Sequence, residues 1–221
     1  MADFSKPILA AATATLIPHG LVRITKPPLF VDDRGWFAIV VQARSHRSKP
    51  AAMLDVAVDF HWCVRDHLAY SLGGRVVDPA VGHGDFEFGA TPAQVKSKAR
   101  AMMELAQRQV TAYRDQLKGL ESARAAIVTA LEPSDPWRLY DAALIEALAG
   151  DAGAARGRLE ALRAIRHEAP WFTELKARAA LLEPVLSRPA ALAEALGPII
   201  AEARAAKGLE VRHPLGAPWE V

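Results

Sequence analysis

The sequence predicts an α+β protein: an N-terminal helix packed on a small antiparallel sheet of about three strands, followed by an all-α portion built of helical hairpins. Three observations carry this expectation. Up to Ala90 the acidic residues are eight Asp and one Glu, and thereafter four Asp and twelve Glu. Aspartate competes for backbone hydrogen bonds and favours turns, whereas glutamate loses little rotamer freedom in a helix. The run GGRVVDPAVGHGDFEFG, Gly73 to Gly89, is rich in breakers and reads as a connector. Apolar spacing also changes, from strict alternation over Leu54 to Trp62 to steps of three and four beyond Ala99. The expected organisation is a small α+β domain over 1–90, a helical domain over 91–209 and an extended tail over 210–221.

Within the first portion, Ser5 is placed to cap a helix with Pro7 in its first turn, where a missing N–H is harmless, and Leu9, Ala12 and Leu16 share a face. Pro18 and Gly20 end it. Leu21 to Ile24 reads as a first strand, kept short by Lys26-Pro27-Pro28. Asp32-Asp33-Arg34-Gly35 lies between two β-rich runs, and Gly35 can take the left-handed conformation that closes a hairpin. In the next strand, alternation sets Leu54, Val56, Val58, Phe60 and Trp62 on one side, and Asp55, Ala57, Asp59, His61 and Cys63 on the other. The N-terminal helix is expected to cover the apolar side, leaving Asp59 and His61 as a solvated polar face.

The second portion carries an apolar stripe at Met103, Ala106, Val110, Tyr113, Leu117, Leu120, Ile127 and Leu131. One helix from Gln94 to Leu131 would be about 57 Å long at 1.5 Å per residue, longer than a small domain is wide, so it should bend or turn back near Gly119, or else project and pack against another copy. Beyond it the chain repeats. Pro136-Trp137 and Pro170-Trp171 are 34 residues apart, and at the same offset Ala143 matches Ala177, Leu148 matches Leu182, Leu162 matches Leu196 and Ile165 matches Ile199. Each unit reads as two helices, with Pro136 and Pro170 in first turns and breaks at Gly150 to Gly153 and at Ser187-Arg188-Pro189. Ala143, the Gly150-Asp151 turn, Ala155 and Leu159 fall at spacings that resemble those of tetratricopeptide repeats, and in the second unit Pro184 and Pro189 replace the turn glycine and the second small residue. The resemblance implies an interaction surface on stacked helices.

The first portion is similar to an uncharacterised bacterial α/β domain family, some members of which are encoded near toxin systems. The similarity lies in the helix ending at Gly20, Gln42 and Ser45, the strand Leu54 to Trp62, and Arg75. It implies an intracellular binding or immunity-type module.

Composition narrows the function classes. At 221 residues and 51% hydrophobic content the chain can bury one substantial core or two modest ones. The net charge is +2, with 9 basic and 9 acidic residues up to Ala90 and 18 and 16 beyond it, and no Lys/Arg cluster of the kind that displaces phosphate counterions. A nucleic-acid partner is not expected. The single cysteine, Cys63, suits a reducing compartment, so the expected location is cytoplasmic. Pro7 to Ile17 is apolar, but Asp3 offsets Lys6 and two threonines interrupt the run, which argues against a signal peptide. No apolar run approaches the ~20 residues of a membrane-spanning helix.

Two classes follow. In the first, the protein is a non-catalytic protein-binding module, with no cofactor, another protein as its partner, self-association through the helical portion left open, and Arg34, Trp36, Arg44, Asp55, Asp59 and His61 as candidate contact residues. Exposed Trp36, Arg34 and Arg44 would suit an interface, because aromatic and arginine side chains dominate binding energy, although Trp36 could equally pack against the other face of the sheet. In the second, Asp59, His61 and His67 hold a metal whose bound water is the nucleophile of a hydrolase, with Cys63, Asp66 or His83 as further ligands. None of these forms a paired Cys-x-x-Cys or a His-Glu-x-x-His element. Cys63 as a nucleophile lacks an identifiable oxyanion loop, and Gly82-His83-Gly84-Asp85 reads as a mobile turn.

Overall fold

The computed structural model describes residues 4–24, 29–46, 48–63, 65 and 67–209. The expectations for Lys26 to Pro28, for Asp66 and for the tail 210–221 lie outside the described residues. The chain divides into two compact units, one of Met1–Asp59 with Leu68–Arg114 and the other of Phe60–His67 with Asp115–Val221.

The first unit opens with α1 (Ser5–Leu16), which buries Ile8, Ala12 and Leu16. Ser5 is the first helical residue rather than the cap, and its hydroxyl lies 3.5 Å from that of Ser45. Strands β1 (Val22–Arg23), β2 (Leu29–Asp33), β3 (Phe37–Ser45), β4 (Ala51–Phe60), β5 (Leu72–Arg75) and β6 (Asp85–Glu87) form an antiparallel sheet in the order β1-β2-β3-β4-β5, with β6 also paired to β4. The protein is α+β. The sheet has six strands, not about three. Three strands are short: β1, expected at Leu21 to Ile24, has two residues, and the unexpected β5 and β6 have four and three, and their ladders draw on the backbones of β2 and β4. Such segments need little intrinsic propensity, because their longer neighbours supply the register. The connector read over Gly73 to Gly89 therefore holds β6 and most of β5, and Gly82 to Asp85 is tied down by an Asp78–His83 bridge.

Gly35 takes φ +87° in the β2–β3 turn, where its N–H donates to Asp33. This conformation costs an L-residue about 1 kcal/mol and costs glycine nothing, which is why the hairpin closes here. Side chains of α2 (Pro92–Gln116) reach the sheet at three points: Arg114 pairs with Asp32, the Tyr113 hydroxyl abuts Gly73, and Lys98 lies 5.8 Å from the centre of the Phe86 ring while pairing with Asp78.

In the second unit α3 (Leu120–Thr129) follows Gly119, so of the two alternatives the chain takes the turn: α2 ends at Gln116 and a second helix starts after that glycine. Then come α4 (Pro136–Leu148), α5 (Ala152–Ala164), α6 (Pro170–Leu182), a short 3-10 turn at Glu183–Val185, and α7 (Pro189–Ala206). Three of these start on a proline, whose absent N–H would have had no helical acceptor. Asp135 and Asp151 cap α4 and α5 by accepting from backbone N–H groups, and Gly150 at φ +87° separates them. Every residue from Leu139 to Leu148 is buried, so α4 is the central rod, with α3, α5 and α7 packed around it. Helices α4 and α6 match residue for residue at the 34-residue offset, start to end. Among the described residues, no helix is long and apolar enough to cross a membrane.

Candidate functional site

Asp55, Asp59 and His61 do not form a solvated face: all three are buried. Strand β4 is paired on both edges, and all but one of its residues are buried. Alternation reports that the two faces differ in polarity, and here the polar face is satisfied by partners rather than by water. Asp55, 3% exposed, accepts from Arg44 Nη2 at 2.7 Å and from Arg75 Nε at 2.8 Å. Asp59, 1% exposed, accepts from the Ala69 N–H at 3.2 Å. His61 lies beyond the end of β4, fully buried, and Lys207 Nζ donates to its Nδ1 at 3.2 Å. His67 is exposed. Among the described residues no three His, Cys, Asp or Glu side chains are grouped so as to hold a metal.

The other candidate contact residues divide. Arg34 remains part-exposed while its Nε donates to Asp32 at 3.0 Å. Trp36 is buried rather than exposed, set edge-on against Phe37 with ring centres 4.9 Å apart. Arg44 keeps 45% of its side chain exposed. The structure thus joins Arg44 to Asp55 and does not join Asp59, His61 and His67 into one group.

In the helical unit, Phe60–His67 brings a second polar group to α4. Trp62 is fully buried, stacks on Phe60 with centres 4.6 Å apart, and donates its indole N–H to Asp141 at 2.7 Å. Burial, and then the Asp141 charge, push the Cys63 thiol up to about 12. Because the thiolate is the nucleophilic form, Cys63 is an inert core residue at neutral pH. Burial, then Cys63 and Asp141, raise the Tyr140 phenol. Asp141 and Glu146 are residues that pattern reading passed over. Their signal was a charge within the apolar stripe of α4, which demands a partner, and Glu146 finds one in Arg158 at 3.1 Å.

The same unit presents an aromatic surface. Trp137 and Trp171, at equivalent positions of α4 and α6, stack at 5.4 Å with planes 19° apart. The Arg65 guanidinium lies 3.6 Å from the Trp137 ring centre, and His167 leans on Trp171 at 5.0 Å. Trp171 is 37% exposed. The recurrence of Pro-Trp was the sequence signal for this pair, although its stacking was not foreseen.

His19, just after α1, forms a polar node. Arg114 donates Nη1 to its Nε2 at 3.1 Å and Nη2 to its carbonyl at 2.8 Å, while Arg114 Nε donates to Asp32. Arginine can only donate, so Nε2 accepts from Arg114, while the Gln107 carboxamide lies 3.4 Å from Nδ1 on the other side of the ring. Burial, and then the Arg114 charge, hold the imidazole below its ordinary value, with Asp32 opposing. Below about pH 6.5 the unfolded chain therefore binds a proton that the folded chain does not, and stability falls as pH drops from there towards the folded value. The His19→Gln variant should show a shallower loss of urea midpoint over this window than the parent. Equal slopes would remove His19 as the cause.

Comparison with family models, with curated proteins and with solved structures found no match.

Proposed function

We propose that this chain is a non-catalytic protein-binding module of the cytoplasm, an adaptor or immunity-type protein, and that its helical unit carries a principal contact surface. The observation behind this is the Trp137–Trp171 stack with Arg65 over one ring and His167 against the other. Trp and Arg are the residue types whose truncation costs most at protein interfaces, and rigid aromatic rings lose little entropy on contact. In this reading the pairs α4–α5 and α6–α7 are tetratricopeptide-like units, which brings residues 34 apart to adjacent positions on one surface. Pairing of Asp55, Asp59 and His61 with other side chains or backbone supports a structural role for those polar atoms.

The test is affinity capture from the native host with the full chain and its Trp171→Ala variant. A partner held by the parent should be retained at least about 30-fold more weakly by the variant, the loss of about 2 kcal/mol expected of a hot spot. Loss of the stack on Trp137 should lower the melting temperature by about 2–8 °C, so both proteins are compared well below it, where each is folded. An identical captured set and affinity would sink the reading.

A further inference from the structure

Across the sheet, arginine donors exceed carboxylate acceptors at one place. Asp55 on β4 stands directly opposite Arg75 on β5, and this pair alone would neutralise the buried carboxylate. Arg44, from the end of β3, takes the other oxygen. The group therefore carries one excess positive charge. Each guanidinium has five N–H donors, and each gives a single hydrogen bond to Asp55. Their side chains remain 45% and 39% exposed. The contrast with other arginines is direct: Arg114 spends its donors on Asp32 and on two atoms of His19, and Arg158 spends Nε and Nη2 on Glu146.

Tyr70 stands beside this group, 38% exposed, its hydroxyl donating to Gln42 at 3.3 Å. Burial, and then the Asp55 charge, raise its phenol, so it stays a neutral donor. Arg44, Arg75 and Tyr70 thus combine oriented guanidinium edges with an exposed aromatic ring, and Asp55 fixes both guanidiniums before any ligand arrives. That pre-organisation removes part of the entropic cost of recognition.

We propose that Arg44 and Arg75, aligned by Asp55 and flanked by Tyr70, form a recognition site for one side-chain carboxylate within an acidic segment of a partner protein. The inference rests on the reading of this chain as a protein-binding module and names the chemistry of its partner. A single carboxylate matches the one excess positive charge and the fork geometry of guanidinium. A dianionic phosphate would leave charge unmatched and meet stronger repulsion from Asp55.

The test uses the full chain with nitrogen-15-labelled arginine, following the Nε–H signals during titration with a hexaglutamate peptide and, separately, with inorganic phosphate, at about 150 mM salt to screen diffuse attraction. The expected result is a saturable shift confined to Arg44 and Arg75, with the peptide at least tenfold tighter than phosphate. The Arg44→Gln variant should weaken the peptide at least tenfold. Tyr70→Ala, which leaves both ion pairs in place, should weaken it at least threefold and serves if Arg44→Gln fails to fold. Uniform shifts at all arginines, no saturation, phosphate binding as tightly as peptide, or full affinity in the folded variants would each overturn the proposal. No native partner is needed, so failure here leaves the Trp171 capture experiment to judge the module reading separately.

Discussion

Alanine at Gly73 is expected to destabilise the protein by about 3 kcal/mol or more, because it combines a backbone conformation hostile to L-residues with a collision that cannot relax. Gly73 sits in β5 with φ +80°, and a methyl group there would collide with the Tyr113 hydroxyl oxygen and lie 2.7 Å from the Val56 carbonyl oxygen. The tyrosine could in principle turn aside. The carbonyl cannot, since Val56 lies within the β4–β5 ladder that fixes its position. Adding Tyr113→Phe to Gly73→Ala should therefore recover less than half of the loss. Gly74, at φ +140° with open space around it, isolates the conformational part, and Gly74→Ala should cost only about 1 kcal/mol. Urea midpoints of the three variants check this, and a Gly73→Ala midpoint equal to that of the parent would disprove it.

The pair of glycines also illustrates what was legible in the sequence. The breaker-rich run reads as a connector, yet it carries most of β5 and all of β6, which pair with β4 residues 14 to 36 positions away, and no local pattern encodes that pairing. The alternation in β4 identified two chemically different faces. It could not say that the polar one would be closed by Arg44 and Arg75, which lie 11 and 20 residues from Asp55. Helix starts at Pro136 and Pro170, and a break near Gly119, were legible because proline and glycine act through their own backbone chemistry, whereas Pro189, read as part of a break, is itself the first residue of α7. Membership of Phe60–His67 in the helical unit was not, since it depends on which distant side chains receive Trp62 and His61. The candidate site follows the same divide. The 34-residue offset placed Trp137 and Trp171 in equivalent positions, whereas the burial of Trp36 and the inward turn of Asp59 and His61 are tertiary outcomes.

Removing the Trp62 side chain tests that tertiary outcome most severely. Trp62→Ala should cost about 4 kcal/mol, the usual range for deleting a fully buried aromatic residue, since Phe60 loses its stacked neighbour and Asp141 its indole donor together. Trp62→Phe separates the two effects. It keeps most of the ring volume beside Phe60 but leaves a carboxylate that is 3% exposed without its 2.7 Å donor, so a loss of about 2 kcal/mol is expected from the hydrogen bond alone. Asp141→Asn retains an oxygen acceptor for the indole and should fall below either. It should also lower the Cys63 thiol only part of the way from about 12, because burial outranks the Asp141 charge as its cause. Chemical denaturation of the three variants gives the ordering. Were Trp62→Phe as stable as the parent, the indole–carboxylate bond would contribute nothing, and apolar packing with the His61 and Arg65 contacts would hold Phe60–His67 in the helical unit.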